Sequence, residues 1–339
     1  MRRYVKRTIL TLTAAACIAG GSGSALAAQQ LDIIPINAPV INDVMPQTKL
    51  DLMRIYGTAT SIENGRIVLE NNNENADFSK IVLNISENTL ILDAVSGMPT
   101  SIDDIRDNEF LYAYISPAVT KSLPPIANPE VILTSIPADF AVPSYVEIDR
   151  VEQGETGSVI VHTNEDKSYT VTDETELFPY LTFNLINKND LMPGTKLLVW
   201  QQTAMAEGTV EAASAPAKMM VFPYSYSGYV ELNQDGISIN GTALELEEGE
   251  QPYADNGRLM VPFRKTVEAL GYEIKWDNDT RGIQVVKGDT KLYSFTARGT
   301  EVSQGEDTYT LHEAAALSNG VSFIALEDLI YLNDAKLAK

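Results

Sequence analysis

Cysteine is almost missing from this chain, with one residue, Cys17, in 339. A single cysteine excludes an internal disulfide framework, and with it the small disulfide-stapled scaffolds of secreted proteins. Histidine is nearly as rare, at His162 and His312. Basic residues are in deficit, 25 Lys and Arg against 46 acids, which leaves a net charge of −21. A surface of that sign repels nucleic acid and anionic lipid, so neither is an expected partner. After the N-terminus, no apolar run is long enough for a transmembrane helix.

The usual signatures of chemistry are missing as well. "HEAAA" at His312 opens like a zinc-protease helix but has no second histidine. The sequence shows no P-loop and no serine elbow. The acidic runs "LELEEGE", "IDDIRDNE" and "VTDETE" do not follow the EF-hand spacing. They read as solvated faces, with weak calcium binding at extracellular millimolar levels left open. No catalytic, cofactor, metal or ligand-binding residue is assigned from the sequence.

What is present begins with an address. Arg2, Arg3, Lys6 and Arg7 precede a short apolar run from Thr8 to Ala19, and small residues then lead to Ala25-Leu26-Ala27. This is the pattern of a secretory signal peptide, predicted to span residues 1–27. Its cleavage removes four bases and no acid, taking the net charge from −21 to −25. Cys17 lies inside this segment. It is a poor lipoprotein acceptor, because Ala14 stands three positions before it where leucine is usual. Residues 28–50, rich in Pro, Asn and Ala, read as an extended linker.

An internal repeat follows. "NISENTLILDAVSGMPTSIDDIRDNEFLYAYI" (84–115) lies over "TVTDETELFPYLTFNLINKNDLMPGTKLLVWQ" (170–201) at a constant offset of 86 residues. Ile105 falls on Leu191 and Tyr114 on Trp200. The runs are short, β-branched or aromatic, and bounded by Asn, Gly, Pro and Asp, so each copy reads as about five strands. Two small barrel-like β repeats are expected, at 51–137 and 144–224. Tyr112, Tyr114 and Trp200 could form a sugar-stacking platform, although aromatics in alternating strands more often face a core.

The last third has a different grammar. "YVELNQDGISINGTALELEE" predicts a hairpin about Gln234-Asp235-Gly236. "NGRLMVPFRKTVEALGYEIKWDNDTRGIQV" predicts a turn at Asn256-Gly257, a strand, and a helix entered through Pro262 and closed at Gly271. A second strand, a second turn and a third strand follow. In "YEIKWD", alternation puts Tyr272, Ile274 and Trp276 on one face, which predicts Trp276 as a core residue beneath the helix.

The motifs "SINGTALEL", "NGRLMVPFRKTVEALGYEIKWD" and "GIQVVKGD" resemble the copper amine oxidase N-terminal-like domain, or stalk domain, of bacterial surface proteins. The resemblance covers residues 228–339. A worn second half is visible, with "SNGVSFIALEDLI" over "DNGRLMVPFRKTV" at an offset of 63 and Ala325 where Pro262 stands. The resemblance implies an appended domain, not the oxidase itself. An oxidase needs three copper-ligating histidines and a tyrosine that becomes a quinone, and this chain has two histidines and no such tyrosine motif.

The expected fold is therefore mainly β with a smaller α+β part: two tandem barrel-like repeats, then a stalk-like domain. The expected function is that of a secreted or envelope-associated, non-catalytic protein that binds or spaces at the bacterial surface. The expected partners are cell-wall polymer or other surface proteins. The alternatives are a glycoside hydrolase-like enzyme or enzyme accessory using acidic pairs, and a purely structural assembly subunit.

Overall fold

The computed structural model describes residues 52–182, 185–201, 215–233, 236–277 and 281–338. The predicted signal, Cys17 and the linker lie outside them. All the described residues fall in one compact unit.

The first sheet is built from β1 (Met53–Glu63), β2 (Arg66–Glu70), β3 (Lys80–Asn84), β4 (Leu90–Asp93), β5 (Phe110–Ile115), β6 (Ile126–Ala127) and β7 (Pro129–Thr134). Its strand order is β4-β7-β5-β1-β2-β3-β6. The second contains β8 (Ser144–Gln153), β9 (Val159–Thr163), β10 (Ser168–Val171), β11 (Glu176–Pro179), β12 (Lys196–Gln201) and β13 (Pro216–Val221). Its order, read from the other edge, is β11-β13-β12-β8-β9-β10. Apart from β6 the two orders are the same.

The detail repeats too. β4 runs parallel to β7, and β11 parallel to β13, while the neighbours are antiparallel. Bulges fall at matching places, between Ala59 and Ser61 and between Ile148 and Arg150. Single 3₁₀ turns at Ile102–Asp104 and Lys188–Asp190 carry the same capping box, Ser101 with Asp104 and Asn187 with Asp190. Each turn delivers its next residue, Ile105 or Leu191, into the core of its own sheet.

Each sheet curls around one apolar cluster, but β5, β7, β12 and β13 are apolar on both faces. Leu111, Ala113, Ile115 and Ile132 line the first core. The alternate residues Tyr114, Val131 and Leu133 meet Tyr145, Leu198, Trp200, Met220 and Phe222 of the second sheet in a separate cluster. This inter-sheet seam is also hydrogen-bonded. The Trp200 indole donates to the Ala94 carbonyl at 2.8 Å. The Tyr145 amide donates to the Tyr114 hydroxyl at 2.9 Å, and the Tyr145 hydroxyl to Glu130 at 2.7 Å. Gly97, at φ +75°, sits so close that a Cβ would lie 2.4 Å from Met220 and 2.8 Å from Trp200. A side chain there would wedge the sheets apart.

Acidification is expected to loosen the first sheet through Glu109. Burial opposes ionisation of this residue. Donors from the Arg106 amide, the Thr134 hydroxyl and the Ser135 amide outweigh it and hold the carboxyl below its ordinary 4.5. A lowered carboxylate contributes stability that is full above its ordinary value and is lost as pH falls through the native one. The urea midpoint should therefore drop between about pH 5 and pH 3, and Glu109→Gln should flatten part of that drop. An equal drop in both proteins would contradict this assignment.

The C-terminal part is three small sheets around a main core, with a second, smaller apolar cluster of Tyr253, Met260, Phe323 and Ala325. β14 (Tyr229–Asn233), β15 (Gly236–Ile239) and β16 (Thr242–Ala243) form the first. β14 pairs with β15 as a hairpin, Asn233 opposite Gly236, and its tip residues 234–235 lie outside the described ones. β17 (Tyr253–Asp255) and β18 (Arg258–Pro262) lead into α1 (Phe263–Ala269). Asn256 and Gly257 both take positive φ, as a type I′ hairpin turn requires. α1 ends as expected at Gly271: the Gly271 amide bonds the Glu268 carbonyl and the Tyr272 amide the Val267 carbonyl, a Schellman closure.

β19 (Glu273–Asp277), β20 (Gly282–Lys287), β21 (Thr290–Thr296), β22 (Glu301–Gln304) and β23 (Asp307–Thr310) form a five-stranded meander. β24 (Ala316–Ser318), β25 (Val321–Ala325) and α2 (Leu326–Leu332) then repeat the β17-β18-α1 unit at the offset of 63. β18 and β25 pair about a local two-fold, Met260 opposite Ala325 and Pro262 opposite Phe323. In place of a second strand of the "YEIKWD" kind, β26 (Lys336–Leu337) runs parallel to β14.

Trp276 departs from expectation. Tyr272 is buried and Ile274 packs on the core, but Trp276 is 39% exposed. Seven helical residues reach only about 10 Å. Trp276 stands four residues, about 13 Å, beyond Tyr272 on the outermost strand of the meander. The helix ends before it can cover the indole.

Candidate functional site

The three aromatics expected to form a platform are not together. Tyr114 and Trp200 are 1% and 5% exposed in the seam between the sheets. Tyr112 lies at the margin of that seam, half-buried. Its companions are Tyr56 and Phe110, which the sequence reading passed over. β1 and β5 bring them together, because Tyr56 pairs with Tyr112 and Thr58 with Phe110. Side chains two apart on a strand share a face, so the three rings stand on the sheet face opposite the first core.

They make a triangle. The centroids are 5.5 Å apart for Tyr56–Tyr112, 5.6 Å for Phe110–Tyr112 and 6.0 Å for Tyr56–Phe110. Phe110 is 42% exposed and both tyrosines are partly buried. The Arg54 guanidinium lies over the Tyr112 ring at 4.4 Å, which fixes that ring and places a cation at one side. The Arg54 Nε is buried without a partner.

The rim of the triangle is a run of asparagines. The Asn71 side chain donates to the Tyr56 carbonyl at 2.8 Å, and its oxygen accepts from the Asn73 amide. The Asn73 side chain donates to the Tyr56 hydroxyl at 2.9 Å, and its own oxygen accepts from the Asn75 amide. Consecutive Asx turns thus order the loop after β2 and hold neutral amide groups beside the rings.

Both histidines sit in hydrogen-bonded groups. His162 Nδ1 is 2.8 Å from the Ser168 hydroxyl, and Nε2 is 3.4 Å from Glu152. These residue types suit nucleophilic catalysis, but they arise as cross-strand neighbours on a sheet surface, His162 opposite both Arg150 and Ser168. One cleft among the described residues lies between Tyr180, Ile186, Phe222 and Tyr224, and another between Thr156, Thr172, Asp173 and Lys188. Neither contains Ser168 or His162.

The second histidine ties the C-terminal part together. The fully buried Asp328 of α2 accepts from the Tyr309 hydroxyl at 2.7 Å, the His312 amide at 3.0 Å and His312 Nδ1 at 2.7 Å. Three donors satisfy this carboxylate, and they fasten the segment after β23 to α2. Among the described residues, no group of three or more His, Cys, Asp or Glu side chains is gathered as a metal ion requires. No helix among them is long and apolar enough to cross a membrane.

Comparison with known families is consistent with the C-terminal geometry. Residues 238–332 match the family described as Copper amine oxidase N-terminal domain. The match runs from β15 to the end of α2 and includes both strand-helix units. What this segment shares with copper amine oxidases is their non-catalytic N-terminal domain. No curated protein matches the chain.

Proposed function

We propose that this chain is exported and acts at the bacterial envelope as a non-catalytic binding and spacing protein, with cell-wall polymer as its ligand. One observation carries the reading. The apolar outer face of the second sheet is spent on the seam, whereas the first sheet leaves the Tyr56–Phe110–Tyr112 triangle partly exposed on the same side among the described residues. An aromatic patch left partly exposed beside a filled seam suits holding a ligand better than turning it over. The N-terminal pattern supports export, and the match at residues 238–332 supports a non-catalytic C-terminal part.

Two measurements test it together. Intact mass of the exported protein should correspond to a chain beginning at Ala28, without diacylglycerol on Cys17. That mature chain should sediment with purified cell wall and remain in the supernatant without it. A chain retained inside the cell, or one that ignores the wall, contradicts the proposal.

A further inference from the structure

We infer that the Tyr56–Phe110–Tyr112 triangle is a saccharide-binding platform that takes a neutral pyranose oligomer, with Asn73 at its polar rim. This rests on the surface-binding reading above and names the site that would perform it.

The duplication supplies the comparison. In the second sheet Tyr145 occupies the place of Tyr56, since Tyr145 pairs with Leu198 of β12 as Tyr56 pairs with Tyr112 of β5. Tyr145 is buried, edge-on to Tyr114 at 5.5 Å and Phe222 at 5.3 Å, because the first sheet covers it. Among the described residues Tyr56 is only partly covered, and two more rings cluster around it. An aromatic face that is filled from within the chain in one copy is left partly exposed in the other.

A second copy of the chain is a poor occupant. The surface that would reproduce the internal packing is the second sheet's Trp200 and Met220, with Phe178 beside them, and the seam already uses it. The patch is also small, three rings within about 6 Å of one another, far below the area of a stable protein interface. A pyranose matches it better. One face of the sugar carries C–H groups that stack on aromatic rings, and its edge carries hydroxyls that suit amides and phenols. Asn73 and the Tyr56 hydroxyl provide that rim, and both are held in place before any ligand arrives. Preorganisation of this kind lowers the ordering cost of binding. The asparagine rim is neutral, the Arg54 guanidinium is engaged on the Tyr112 ring, and the net charge of −21 repels a polyanion, so a neutral or N-acetylated sugar fits the site better.

The test is titration calorimetry of the mature chain with β-linked oligomers of glucose and of N-acetylglucosamine, about four to six sugars long. At least one should bind. Tyr56→Ala and Tyr112→Ala should each weaken it by roughly tenfold or more, and Asn73→Ala by a smaller factor. Tyr56→Phe should weaken binding only about as much as Asn73→Ala does, since it gives up the rim hydroxyl but retains the ring, and it guards against a folding artefact in the alanine variant. Trp276→Ala, an exposed aromatic elsewhere, should bind as the parent does. Equal binding by the parent, Tyr56→Ala and Tyr112→Ala overturns the platform. So does concentration-dependent dimerisation that Tyr56→Ala abolishes, which would make a second copy the occupant. If the chain sediments with cell wall but binds no oligomer, the platform falls and the surface-binding reading stands. If it does neither, both fall.

Discussion

Trp200→Ala is expected to lower the stability of the protein by about 3–5 kcal/mol, the cost of removing a large aromatic from a packed interior. Trp200 is 5% exposed, stacks beside Phe178 at 5.9 Å, and donates its indole N–H across the seam to Ala94. Truncation opens a cavity between the sheets and leaves that carbonyl without its donor. Lys218, whose ammonium lies 4.3 Å from the indole and donates to the Val95 carbonyl, loses one wall of its site. Denaturant unfolding measures the loss, and Trp200→Phe should recover a good part of it. A change below about 1 kcal/mol would place Trp200 at the surface and dissolve the seam.

Lys336→Met should cost a similar amount at a different junction. The Lys336 ammonium meets Glu147 at 2.8 Å and Asp149 at 3.0 Å, and the three side chains are only 15%, 14% and 11% exposed. This ties β26 to β8, while the Tyr226 hydroxyl donates to Glu147 and the Tyr224 hydroxyl to the Pro193 carbonyl. Removing one partner of a largely buried ion cluster strands the others, typically at about 3–5 kcal/mol. Burial by itself would lower the lysine pKa, but Glu147 and Asp149 outweigh it and raise the value above its ordinary 10.5. The contribution is therefore complete below about pH 10.5 and is lost as pH rises through the native value. In scanning calorimetry Lys336→Met should melt earlier than the parent at neutral pH. Adding Glu147→Gln and Asp149→Asn should restore much of the loss, because the stranded charges are gone. If the triple variant is no better than Lys336→Met, lost packing rather than charge explains the effect.

Much of this architecture was legible in the sequence, for a physical reason. Strand alternation, capping boxes and turn residues are local requirements, and a duplicated chain states them twice. The 86-residue offset aligned Ile105 with Leu191, and both deliver a side chain to a core from the same 3₁₀ turn. The Asn-Gly turns and the Gly271 closure were readable for the same reason. The seam was not. A strand apolar on both faces says that something covers it, without saying what, so Tyr114 and Trp200 could be read as open platform or as core. Tyr56 was missed because its neighbours come from β5, about fifty residues further along the chain. The His312–Asp328 pair is likewise made by the return of α2 and not by a local spacing. Trp276 was misread because alternation fixes the face of a side chain and not whether the helix is long enough to reach it.

The central claim is that the two β repeats form one cooperative body through their shared face. Hydrogen exchange of the mature chain in rising denaturant, read by mass spectrometry on peptides covering Phe110–Ile115 and Lys196–Gln201, tests it most directly. Both strands place alternate residues in the seam, so they should lose protection at the same denaturant concentration, and Trp200→Ala should shift both. Separate midpoints in the parent protein, with Trp200→Ala moving only the second, would show two independent domains that merely touch.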